Sequence, residues 1–316
     1  SNISLSGAPM LLRCWHALDP LFPEQEIFIR RLPKKIILPL LFLLVVIFSL
    51  AGTLIPTGGL FGFDWVHFWG IQRIPPFYPP WTILVIRHLT YPVLIGITMA
   101  AFSIATIQRA IHPISAIAAF FSLPLLWTLF LGQLEGFALL GMLGLPWLIP
   151  FALIKPQVSI FGLGARRSYI IAFFVLLVIS IIVWGNWPAK MFAIESFYEE
   201  GRYPQNIGMG WWGLPLFLLT IWFSRGDKDM LMACGAFISP HIIFYNLLPL
   251  TPAIARLKPR AAIVAFILSF LTLSSNWLGP NGWWLGWGFV PWIWINLAAQ
   301  RYPDTKFSQW ITHVIG

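Results

Sequence analysis

Few residues in this 316-residue chain can do chemistry, and most of them sit where long apolar runs end. Asp64 stands in Gly62-Phe63-Asp64-Trp65-Val66-His67-Phe68-Trp69, just past the first such run. An acid at the rim of a hydrocarbon slab is costly to keep, so its placement points to function. Phe63, Trp65 and Trp69 would lower the dielectric around it, and a carboxylate held in that way becomes a proton acceptor near neutral pH. The same position also suits an interfacial acid that ends a helix within an aromatic belt. His67, three residues on, shares a face with Asp64 if the stretch is helical. It could assist Asp64 or hold a divalent cation with it; a histidine at a wet membrane rim is the plainer reading.

Further candidates follow along the chain. Gln133, in Gly132-Gln133-Leu134-Glu135, can donate to a sugar hydroxyl or a phosphate oxygen, and Glu135 lies about a turn inside the apolar segment, where it needs a polar cavity. Lys155, in Lys155-Pro156-Gln157, interrupts another apolar stretch. If 134–155 is one straight helix, Lys155 snorkels to the cytoplasm. If Pro146 and Pro150 fold the segment back, Lys155 returns to the outer side as a point charge for a phosphate. Arg87 and His88 end a short helix opened by Pro79-Pro80 and could grip a phosphate or a lipid head group. Ser239-Pro240-His241, with Tyr245 and Asn246 a turn later, marks the tip of a short apolar hairpin.

The elements that must position these groups are membrane helices. The chain is 58% hydrophobic with a mean hydropathy of +0.79 and 18 Trp. Only 10% of it is charged, against about 25% in an ordinary soluble domain. Apolar stretches of membrane-spanning length recur, and the expected fold is all-α and polytopic, with about ten crossings that include short broken or re-entrant helices. An amphipathic cytoplasmic arm (1–32) precedes one transmembrane domain (33–316), which carries external loops at 56–90 and 186–210. Two arms near 229–240 and 242–255 hold about a dozen residues each, roughly 18 Å of helix. They work at membrane depth only if their tip opens into a water-filled cavity.

The net charge of +9 is distributed as short Lys and Arg clusters between apolar runs. Arg73, Arg87, Lys190 and Arg202 fall outside, Lys155 is unplaced, and the rest fall inside, a positive-inside bias that puts both termini in the cytoplasm of a cytoplasmic-membrane protein. Nucleic acid is therefore not the expected partner; anionic lipid is. Cys14 and Cys234 suggest neither a disulfide framework nor a cysteine metal site. The first apolar run is too long for the core of a cleavable leader. The acids Asp64, Glu135, Glu195, Glu199 and Glu200 gather on the outer side, which argues against a transporter needing polar groups through the full depth.

The ordered set Phe63-Asp64-Trp65, Pro76-Phe77-Tyr78-Pro79-Pro80-Trp81, Gly132-Gln133-Leu134-Glu135, Lys155-Pro156-Gln157 and Ser239-Pro240-His241 with Tyr245 spans roughly 36–275. It resembles the GT-C superfamily of polytopic glycosyltransferases, within it glycosyltransferase family 87. The resemblance implies transfer of a sugar from a polyprenyl-phosphate donor to an acceptor hydroxyl on the extracytoplasmic face. It makes Asp64 the base, and it draws Lys155 toward the donor phosphate in an outer cavity with Gln133, Glu135, His241 and Tyr245. No resident cofactor is implied; a divalent cation is left open. The stretch from Asp64 to Pro75 is shorter than the family's loop, and Glu135 replaces its Asn or Asp. The alternative expectation is a non-enzymatic accessory subunit of a larger membrane complex, built on the same scaffold with a decayed site.

Overall fold

The computed structural model describes residues 22, 32–71, 78–192 and 204–315. Most of the N-terminal arm, Cys14 included, lies outside the described residues, as do Arg73, Pro76, Phe77, Glu195, Glu199, Glu200 and Arg202. Among the described residues every regular element is helical. Five segments are long and apolar enough to cross a membrane: Lys35–Gly52, Tyr91–Arg109, Pro113–Leu131, Arg167–Trp184 and Pro259–Arg301. The helices used below are α1 (Lys34–Gly52), α2 (Tyr91–Arg109), α3 (Pro113–Phe120), α4 (Leu123–Leu131), α5 (Glu135–Leu143), α6 (Pro156–Gly162), α7 (Arg167–Trp184), α8 (Leu214–Ile221), α9 (Lys228–Ile238), α10 (Pro259–Phe270), α11 (Phe289–Arg301) and α12 (Lys306–Ile315).

Proline sets many of the starts. A proline occupies the first turn of α2, α3, α4, α6, α8 and α10, where its missing N–H has no intrahelical partner to lose. Between helices of this kind the interior packs on small residues. One stripe of α1, from Ile37 through Leu41, Val45 and Ser49 to Gly52, turns toward α2. A Cβ at Gly96 of α2 would stand 2.6 Å from the Val45 carbonyl oxygen, so only glycine permits that approach. The opposite face of α1, with Leu38, Phe42, Val46 and Leu50, is exposed, as are Phe174, Val178 and Ile182 of α7. Such faces require an apolar solvent, which lipid supplies.

Two hairpins depart from plain spans. α5 leads away from Glu135, and the short helix Ile149–Ala152 packs back on it, with no room for a side chain at Gly141 beside the Ala152 backbone. Lys155 thereby returns to Glu135, 20 positions earlier, with 3.2 Å between Nζ and Oε1. The straight-helix alternative for 134–155 is excluded. In the second hairpin the outgoing arm is α9. The return arm is not the helix expected over 242–255 but two 3-10 turns, Phe244–Leu247 and Thr251–Arg256. Pro249 and Pro252 lack the amide hydrogens an α-helix would use there. Asn206 fastens the tip: its side chain donates to the Pro240 carbonyl and accepts from the Ile242 and Gly208 amides.

The far end of α2 is held by charge. Arg109 donates through Nη2 to Asp229 Oδ1 at 2.8 Å, and Arg256 spans Asp227 and Asp229 at 2.7 and 2.9 Å. Asp227 also caps α9 by accepting from the Asp229 and Met230 amides. Arg109 and Arg256, read from sequence as charges flanking spans, are buried partners of two acids. The amphipathic segment α12 was not anticipated.

Candidate functional site

Asp64 is placed by the end of α4. Gly132 terminates that helix at φ +75°, and a Cβ there would meet Trp65 at 2.8 Å and Tyr91 at 2.9 Å. Glycine thus serves both the left-handed cap and the close approach of the Asp64 segment. The Gly62 amide donates to the Phe130 carbonyl at 2.7 Å, and the Tyr91 hydroxyl donates to the Leu129 carbonyl at 2.7 Å. Asp64 itself begins the single π-helical turn Trp65–Trp69. The next residue after Gly132, Gln133, donates from Nε2 to Asp64 Oδ2.

Behind this pair lies the ionic group. Glu135 Oε1 receives Lys155 Nζ and, at 2.6 Å, the Asn246 side-chain amide. Asn246 is steadied in turn by the Ile243 amide, which donates to its Oδ1 at 2.8 Å. The Lys155 ammonium lies 4.8 Å from the ring centre of Tyr78, 5.5 Å from Tyr245 and 5.8 Å from Trp69. Aromatic faces and one carboxylate together offset the desolvation of this buried cation.

These segments enclose a cavity of about 430 Å³. Asp64, Gln133, Lys155, His241 and Tyr245 all line it, as do Gln157 and Trp127. The cavity joins residues drawn from the loop after α1, the start of α5, the first hairpin and the tip of the second. Asp64 is half-buried, and its carboxyl is raised above the ordinary value mainly by burial, against the opposing pull of the Lys155 charge and the Gln133 hydrogen bond. His241, at the hairpin tip, is lowered to about 4 by burial and by the same Lys155 charge. It is therefore a neutral imidazole at pH 7, able to donate at one nitrogen and accept at the other.

Not every expected residue arrives. Arg87 and His88 are exposed, bonded to each other (Nε to Nε2, 2.8 Å), and stand outside the cavity wall. His67 is exposed and its ring meets that of Phe63 at a tilt of 49°, with 4.3 Å between ring centres. Among the described residues no group of three or more His, Cys, Asp or Glu converges as a metal site. The sequence reading missed Trp69 and Tyr78 as partners of Lys155, the clamp that Asn246 forms on Glu135, and a role for Gln157 in the wall. Aromatic residues are too frequent here for the first two to have stood out. Gln157 had a signal, its place beside Lys155-Pro156. No family model matches this chain, and neither a curated protein nor a solved structure matches it.

Proposed function

We propose that this protein transfers a sugar from a polyprenyl-phosphate donor to an acceptor hydroxyl on the extracytoplasmic face of the cytoplasmic membrane. The single observation that carries the reading is the convergence of Asp64, Lys155 and His241, remote in sequence, on one cavity. In this reading the chain crosses the membrane about ten times, counting the two broken hairpins, with both termini cytoplasmic. The cavity then lies at the outer boundary.

Asp64 takes the proton of the acceptor hydroxyl as its oxygen attacks the anomeric carbon. The bond from that carbon to the phosphate oxygen breaks, and polyprenyl phosphate leaves with the electron pair. Burial raises the basicity of Asp64 toward that task. Gln133 orients the carboxylate. Lys155 meets the charge growing on the leaving phosphate, while Glu135 and Asn246 fix where its ammonium stands. Neutral His241 and the Tyr245 hydroxyl are within the same wall to bond donor oxygens. A divalent cation, if one is used, would enter with the phosphate and share Asp64. Asp64→Asn keeps the shape and the contact with Gln133 but removes the base. We expect it to lower transfer by about 10²–10⁴-fold while the folded protein is retained, measured as label moved from a polyprenyl-phosphate sugar in reconstituted vesicles. Full activity in the Asn variant would reject the assignment.

One observation favours a second reading. Lys155 is already paired with Glu135 and packed between rings, as expected for a decayed site in an accessory subunit. The exposed apolar faces of α1 and α7 would then meet the other subunits of a membrane complex. Copurification at fixed stoichiometry, with no transfer by the isolated chain, would select it.

A further inference from the structure

Gln205 lines the same cavity as His241, and the transfer chemistry above does not use it. It comes from the segment 204–210 ahead of α8, which is laced to the tip of the second hairpin. The Ile207 amide donates to the Ile242 carbonyl at 2.8 Å, and the Gly210 amide to the Ser239 carbonyl at 3.2 Å. The Asn206 side chain adds one bond to Pro240 and one to Ile242, with a third to Gly208 in its own segment. A Cβ at Gly208 would stand 2.6 Å from the Pro240 carbonyl carbon, so the two backbones meet as only glycine permits. Gln205 and His241 each stand one residue from a bonded position, at Asn206 and at Ile242. The lacing therefore sets where both enter the wall. Gln205 is half-buried, which keeps it in reach of a solute in the cavity. Its amide brings donors and an acceptor, and the neutral imidazole of His241 brings one of each. An uncharged pair of this kind matches hydroxyl groups, each a donor and an acceptor, whereas a phosphate is better met by the Lys155 charge.

We propose that Gln205 contacts the substrate, that Asn206 positions it together with His241, and that the pair binds adjacent hydroxyl groups on an uncharged part of a substrate. This rests on the transferase reading above and adds two residues to it, Gln205 and Asn206. Two hydroxyl-bearing groups meet in such a reaction, the sugar of the donor and the acceptor, and the probes below separate them.

The test titrates purified full-length protein in lipid nanodiscs, by calorimetry, with three probes: a short-chain polyprenyl phosphate carrying a neutral hexose, the bare polyprenyl phosphate, and an octyl hexoside. Gln205→Leu keeps the bulk of the side chain and removes its amide. It should weaken the lipid-linked hexose about tenfold if the donor's sugar is the ligand, or the octyl hexoside about tenfold if the acceptor is. Binding of the bare lipid phosphate and the thermal midpoint should hold, since the residue is neither core nor cap. Asn206→Ala removes three hydrogen bonds and should lower the midpoint, which any structural residue would do. As a positioning residue it should also weaken the same hexose probe, and adding Gln205→Leu to it should cost little further affinity, because the amide is already displaced. Unchanged affinity for both hexose probes in Gln205→Leu overturns the proposal, and so does an equal loss on the bare lipid phosphate. A full second loss in the double variant overturns the positioning by Asn206. Each of these results leaves the transferase reading standing. Failure of the unsubstituted protein to bind any of the three probes overturns both readings at once.

Discussion

Two groups of buried charge face different fates in this molecule. At one end Arg109 and Arg256 meet Asp227 and Asp229, and all four carboxylate oxygens receive a guanidinium donor. The charges balance, and the Gln300 side chain bonds the Arg256 carbonyl to tie in α11. At the other end Asp64, Glu135 and Lys155 leave one negative charge in excess. There Glu135 Oε2, Gln133 Oε1 and Gln157 Oε1 lack hydrogen-bond partners among the described residues, and both glutamines belong to the wall of the cavity. Burial of charge is common to both. What separates a fastener from a site is incomplete satisfaction next to empty space, since an unpaired buried group persists only when something else compensates for it.

That contrast can be broken by experiment. Asp229→Ala strands the buried Arg109 guanidinium and leaves Arg256 with Asp227 alone, and it should cost about 3–5 kcal/mol, read from unfolding in detergent, while Asp64→Asn should change stability little. Equal losses at the two sites would erase the distinction. The pH profile sharpens it further. Because burial raises the Asp64 carboxyl, its basic form prevails only above that raised value. The acid limb of kcat/KM should therefore fall about tenfold per pH unit below a midpoint displaced upward from the ordinary 3.8. A limb at or under the ordinary carboxylate value would remove Asp64 as the base. The smallest effect belongs to Arg87→Gln and His88→Gln. Both residues are exposed and outside the cavity, so transfer should change less than about twofold. A larger loss would extend the site to the surface above it.

Much of the scaffold was legible. Apolar runs of membrane-spanning length were expected and are found as α1, α2 and α7, and Pro79-Pro80 announced the short helix Thr82–Ile86. The fold-back of 134–155 was one of the two arrangements that Pro146 and Pro150 allowed. Asp64, Gln133, Glu135, Lys155, His241 and Tyr245 were picked from type and spacing, and the fold gathers all of them around one cavity or against its lysine. Arg87 and His88 were picked by the same logic and stand apart, because a short helix end says nothing about which way it faces. The Asp227 and Asp229 cluster was invisible, since its partners lie up to 120 positions away.

By itself the sequence determined which long segments are apolar enough for lipid and where the proline-opened helices begin. Hydropathy and proline act locally, over a turn or a span. Only the tertiary structure decided that Lys155 turns back onto Glu135, which acids Arg109 and Arg256 neutralise, and which polar atoms are left without a partner among the described residues. Those outcomes depend on two distant segments sharing one desolvated volume, where the energy of a charge or hydrogen bond is set by whatever the other segment brings.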